Sequence, residues 1–95
     1  MSVFDALAQQ YLGEPGVAEG AMFGMPILKI RGKVFAGDWK GELVVKLPRE
    51  RVEQLIAAGE GEPFAPMAGR VMKEWALVKD PAVAGEALVF VRGGA

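Results

Sequence analysis

The sequence predicts a two-layer α+β domain, an antiparallel sheet of four to five strands with helices on one face, in the order α-β-β-β-α-β-α. Three observations carry the prediction. Three segments repeat apolar residues at the 3.6-residue period of a helix, and four alternate apolar and polar residues at the two-residue period of a strand. The separators between the first three strands are two residues long, short enough for hairpins. Strands joined by hairpins run antiparallel, and helices that each bury one stripe share one face of the sheet. Ninety-five residues make one domain, 1–95, because a chain this short buries only roughly 60–70% of its unfolded surface and has no second core to build.

The first helix is read over Ser2 to Leu12, where Val3, Phe4, Leu7, Ala8, Tyr11 and Leu12 run down one side. Ser2 followed by Asp5 matches a capping box, and Gly13 suits the left-handed position after the last turn. Glu14 to Gly20 is Gly/Pro-rich and reads as a connection. Ala21 to Arg31, Val34 to Trp39 and Glu42 to Leu47 read as a meander turned at Gly32-Lys33 and Lys40-Gly41. Gly24 with Pro26 predicts a bulge or break in the first strand, and Gly37 a close backbone approach in the second. Pro48 suits the first position of a second helix that ends near Ala58, with Val52, Leu55 and Ile56 as its stripe and Gly59 as its stop. Gly59 to Gly69 reads as a surface loop unless Phe64 and Met67 pin it to the body. Val71 to Val78 is the fourth strand. Asp80-Pro81 caps and opens a third helix that carries Val83, Ala84, Ala87, Leu88 and Val91 up to Gly93, although Ala87 to Val91 taken alone also passes for a strand.

The residue inventory is informative for its omissions. The chain has no Cys, His, Thr or Asn and a single Ser, Ser2. That removes the usual nucleophiles, the commonest general base and the usual zinc ligands. Disulfides, structural zinc and Ser-His-Asp or Cys-His catalysis are excluded. Chemistry is left to Asp, Glu, Lys, Arg, Tyr11 and backbone amides, and no catalytic residue, metal site or cofactor is predicted. The 13 glycines build no nucleotide loop, since none is followed at the right spacing by Gly-Lys-Ser/Thr, and Gly59-Glu60-Gly61 runs into Glu62-Pro63 where a dinucleotide fingerprint needs a sixth-position Gly. Eleven basic against twelve acidic residues lack the positive balance of a general nucleic-acid binder. No segment has the apolar length of a signal-peptide core or a membrane span, so a soluble, cytoplasmic protein without a membrane partner is expected.

Among the charged residues, Glu50 and Glu53 beside Arg49 and Arg51 read as a solvated, salt-bridged helix face, Asp5 and Asp80 as caps, and Glu74 as a cross-strand partner for Lys or Arg. Strand alternation says more. Leu28 and Ile30 oppose Lys29 and Arg31, while Leu43, Val45 and Leu47 oppose Val44 and Lys46, so the sheet is expected to have an apolar side and a basic side. The fourth strand sets Met72, Glu74, Ala76 and Val78 against Val71, Lys73, Trp75 and Leu77, which leaves its orientation open. With Lys73 and Trp75 beside Lys29 and Lys46, the uncovered face carries lysines around an aromatic, bordered by Trp39. The alternative is the ordinary wet side of an antiparallel sheet. Met22, Met25, Met67 and Met72 read as core fillers.

Several motifs in order resemble the N-terminal domain of the TfoX/Sxy family over about Phe4 to Val91. They are Met22-Phe23-Gly24-Met25-Pro26, Leu28-Lys29, Gly32-Lys33, Phe35-Ala36-Gly37, Leu43-Val44-Val45-Lys46-Leu47, Pro63-Phe64, Gly69-Arg70 and Met72-Lys73-Glu74-Trp75. The resemblance implies a two-layer α+β fold and a link to transcription or competence regulation, because full-length members regulate natural competence with the cyclic-AMP receptor protein. Those members carry a second, C-terminal domain, and the 95 residues correspond to the first domain alone. No catalytic residues are implied.

The expected function is therefore a non-enzymatic regulatory or protein-interaction module. Its expected contact surface is the helix-free face, with Lys29, Lys46, Arg70, Lys73, Glu74 and Trp75, or the segment from Phe64 to Arg70, meeting a protein partner or a second copy of the chain. Two alternatives come from other classes. One is weak, salt-sensitive nucleic-acid contact through the same lysines; the other is a small-ligand binder or minimal enzyme working through Lys, Glu or Tyr11.

Overall fold

The computed structural model describes residues 3–67 and 69–93. Its elements are α1 (Val3–Tyr11), β1 (Val17–Met22), β2 (Met25–Ile30), β3 (Lys33–Trp39), β4 (Glu42–Lys46), α2 (Arg49–Ala57), β5 (Gly61–Met67), β6 (Arg70–Val78) and α3 (Val83–Gly93). The strands form one antiparallel sheet in the order β1-β2-β3-β4-β6-β5. The chain lays down four strands as consecutive hairpins, crosses through α2, and returns with a hairpin whose second strand pairs with β4. The α+β class is as expected, but the sheet has six strands rather than four to five. Two local features account for the difference.

The first is the stretch read as one strand from Ala21 to Arg31, which folds as a hairpin. Met22 pairs with Met25, and Phe23-Gly24 forms a two-residue turn with φ of 52° and 73°. Two further turns share this form, Arg31-Gly32 (52° and 82°) and Lys40-Gly41 (53° and 88°), so the middle one falls a residue earlier than Gly32-Lys33. Positive φ at both positions gives the turn a twist that matches the right-handed twist of its strands. β1 begins at Val17, inside the segment expected to be a connection.

The second feature is β5, which replaces the expected loop from Gly59 to Gly69. Its two prolines look incompatible with a strand, but the phase of the ladder accommodates Pro63. The Leu47 N–H donates to the Glu74 carbonyl at 3.0 Å, so even-numbered residues of β6 hydrogen-bond to β4 and odd-numbered ones face β5. Glu62 opposite Leu77 then occupies a hydrogen-bonded site, and Pro63 opposite Ala76 does not. Pro63 aims its missing donor at solvent, where an edge strand tolerates it.

The helices follow their apolar stripes. In α1, Phe4, Leu7 and Ala8 are buried, whereas Val3 and Leu12 at the ends of the stripe are exposed. The proposed Ser2 cap lies outside the described residues, and left-handed φ falls at Gly16 rather than Gly13. Pro48 stands just before α2 as its N-cap. At the other end the Gly59 N–H donates to Ile56 and the Glu60 N–H to Leu55, two bonds that satisfy the last carbonyls. α3 starts at Val83, later than Asp80-Pro81 predicts: Asp80 Oδ1 accepts from the Ala82 N–H at 2.9 Å, and three successive i to i+3 bonds lead into the helix.

The main core lies between the helices and one face of the sheet. Leu28, Ile30, Phe35, Leu43, Val45, Leu47, Ala76 and Val78 meet Leu7, Val52, Leu55, Ala84, Ala87 and Leu88 there. Tyr11 packs edge-on against Phe35 at 5.9 Å. α3 lies over β3 and β4, and α2 over β5 and β6. Among the described residues no helix is long and apolar enough to cross a membrane.

Candidate functional site

The sheet face without helices was expected to be basic. Instead it holds a second apolar cluster, in which Met25, Ile27, Val44, Phe64 and Trp75 are buried and Met22, Val34, Trp39, Met72 and Leu77 are packed around them. Alternation places these side chains here. Val44 opposes Leu43 and Val45, and Ile27 opposes Leu28, so a strand that buries one row against the helices delivers the next row to this face. Gly37 lies in the floor of the cluster, where a Cβ would stand 3.1 Å from Ile27 Cγ2 and 3.2 Å from Val44 Cγ1. The predicted close approach is therefore of side chains onto Gly37 rather than of backbone.

A flat sheet could not bury this cluster without a second layer. Here the sheet curls onto itself. In a flat six-stranded sheet the outer strands would lie about 24 Å apart, from the ~4.8 Å strand spacing. Yet Phe23 of the β1–β2 turn lines one cleft, of about 210 Å3, with Pro66, Met67, Arg70 and Met72 of the β5–β6 hairpin. Phe64 of β5 meets the Trp39 ring of β3 edge-on at 5.4 Å and the Trp75 ring at 6.3 Å. Three register shifts accompany the curl, one between β2 and β3 and two between β5 and β6. Leu28 pairs with Ala36 but Lys29 with Val34, which turns both Phe35 and Ala36 toward the helices. Pro63 pairs with Ala76 but Phe64 with Met72, so Met72 and Trp75, three residues apart, both join the second cluster.

Lys73, whose face the sequence leaves open, lines a groove of about 240 Å3 between α2 and the β5–β6 hairpin with Ile56, Pro63, Val71 and Trp75, and so stands beside Trp75 but outside the cleft that holds Lys46. Lys46, Glu74 and Trp75 do come together, in a cleft of about 580 Å3. Arg70 lines the smaller cleft beside Phe23, and Lys29 lies apart, its chain laid across Gly20 of β1. Met72 lines all three clefts and joins them.

Charge on this face sits at the rim. Lys46 Nζ lies 5.8 Å from the Trp75 ring centroid and Lys40 Nζ 5.1 Å from that of Trp39, both over aromatic faces that attract a cation. Glu74, expected to pair with a cross-strand cation, is exposed and joins neither ion pair found among the described residues. Those pairs are Arg49–Glu53 at 3.8 Å, on the solvated face of α2 as expected, and Arg51–Glu86 at 2.7 Å. The second was not foreseen. Arg51 Nε and Nη2 both donate to the Glu86 carboxylate, which ties α2 to α3 and raises the Arg51 pKa above its ordinary value, chiefly through the hydrogen bond and then through charge.

Of the methionines read as core, Met25 is buried, but Met67 is about half exposed. The residues that sequence reasoning missed are Phe23, Val71 and Ile56, which lie with Met67 along the outside of the second cluster. Phe23 had the signal of a bulky residue before a turn glycine, Val71 shares its strand row with Lys73, and Ile56, read as part of the α2 stripe, is exposed at the edge of a stripe in which only Val52 and Leu55 are buried. Among the described residues no group of three or more acidic side chains is placed to hold a metal ion. No protein-family model, curated protein or solved structure matches the chain, so the surface itself carries the functional reading.

Proposed function

We propose that the protein is a non-enzymatic interaction module that holds a partner protein against the β5–β6 hairpin, from the β1–β2 turn on the helix-free side round to α2, in a regulatory role of the kind implied by its resemblance to the TfoX/Sxy N-terminal domain. One observation carries this reading: the second apolar cluster continues outward into a surface on which Phe23, Met67 and Val71 are 46%, 49% and 54% exposed. Met72 joins the Phe23–Met67 cleft to the groove that holds Val71 and Ile56, so the exposed apolar residues form one surface. Contiguous exposed apolar area of this kind is a cost to a free protein and a gain on association.

The rim refines the partner. Arg70 and Lys73 stand around the apolar floor as its excess cations, while Arg49 and Glu53 beside them meet each other's charge. The complementary partner is an apolar segment flanked by acidic residues. The double substitution Met67→Asp and Val71→Asp places charge on this surface without entering either core. It is expected to shift stability by less than about 1 kcal/mol and to abolish capture of the partner that the parent protein retains from its own cells. Equal capture by parent and variant, with both shown folded by circular dichroism, contradicts the reading.

A further inference from the structure

The 580 Å3 cleft shares Met72 and Trp75 with the docking surface but none of that surface's exposed apolar residues. It opens where β3 begins and β4 ends. Met22, Val34, Met72 and Trp75 of the sheet and Phe90 of α3 give it apolar lining, and Lys33, Lys46 and Glu74 give it charge. Both lysines stand outside the ion pairs of the described residues, as does Glu74. Its volume falls within the roughly 300–1,000 Å3 of sites that hold small molecules. Two of its apolar side chains are methionines, which adapt to the shape of a guest. Two ammonium groups against one carboxylate leave one cation in excess beside a flat aromatic ring.

We infer that this cleft binds a small amphiphilic anion, an apolar or planar aromatic body ending in one acidic group. Trp75 and Met72 take the body, and Lys33 and Lys46 take the acidic head in charge-assisted hydrogen bonds. Glu74 opposes the head and so works against affinity.

Anilinonaphthalene sulfonate and dodecanoate have this chemistry and serve as probes, with the indole N–H resonance of Trp75 as the reporter of place. The expected result is saturable binding of one probe molecule per chain, with a shifted Trp75 signal. Lys33→Glu and Lys46→Glu should each weaken binding by about tenfold, the scale of a charge-assisted contact. Glu74→Gln should tighten it roughly twofold, as expected for removing an exposed like charge. Dodecanol, with the same body and no charge, should bind about tenfold more weakly than dodecanoate. Absence of saturable binding overturns the inference, as does affinity that ignores both lysine substitutions in folded variants. Loss of binding in Val71→Asp with retention in the lysine variants also overturns it, because the probe then sits on the docking groove, and leaves the protein-docking proposal standing.

Discussion

Phe64 is fully buried against the rings of Trp39 and Trp75, in a stretch whose glycines and prolines read as a surface loop. Its truncation separates the two descriptions. Phe64→Ala should cost about 3–5 kcal/mol in urea denaturation, as for a buried aromatic, and move tryptophan emission to the red; a loop phenylalanine would cost under about 1 kcal/mol. The turns offer an opposite prediction. The chain has no Asn, so Phe23, Arg31 and Lys40 occupy left-handed positions that Asn fills more cheaply. Arg31→Asn should raise stability by about 0.5–1 kcal/mol, part of the left-handed cost of an ordinary residue. Arg51 supplies a third. Its pKa is raised by Glu86, so its contribution is complete below the ordinary guanidinium range and is lost only as pH rises past the raised value. The stability difference between parent and Arg51→Ala should therefore be the same at neutral pH and at about pH 10. Single residues were legible where period and burial agree, as at Leu28, Val45, Leu55 and Ala87. The shared inward turn of Phe35 and Ala36 was not, because it arises from a register shift against the neighbouring strand.

The three helices and the strands from Met25 to Lys46 follow from hydrophobic period and turn glycines, and α2 ends at Ala57, two residues before the left-handed Gly59 expected to stop it. The two outer strands were harder to read. β1 is rich in small residues and alternates weakly, while β5 carries two prolines that normally argue against a strand. What makes β5 a strand is its phase against β6, a property of the pairing rather than of its own composition. Leu77 tests this directly, because its amide faces β5 and its partner is Glu62. In hydrogen exchange the Leu77 amide should be protected to about the same degree as that of Ala76, which faces β4. If residues 59–69 formed a loop, Leu77 would exchange far faster than its neighbour.

Across the whole molecule, one short chain builds two apolar clusters on opposite faces of a sheet and covers only one of them with helices. Curling of the sheet buries the rest of the second cluster, and the part it leaves outside is the surface around Phe23, Met67 and Val71. The sequence pointed to the segment from Phe64 to Arg70, and so to Met67, but not to Phe23 or Val71 as its neighbours, because they come together only where two hairpins from opposite edges meet. Lys46, Glu74 and Trp75, named from the sequence as candidates, line one cleft, whereas the basic face expected around them is an apolar trough with charge at its rim. The central claim is that the apolar surface docks a protein. A photo-crosslinking amino acid placed at Val71 in the protein's own cells tests it most directly, with Val89 of α3, equally exposed at 57%, as the control position. Docking predicts a discrete heavier adduct from position 71 that is absent from position 89; no adduct at either position, or the same adducts from both, would contradict it.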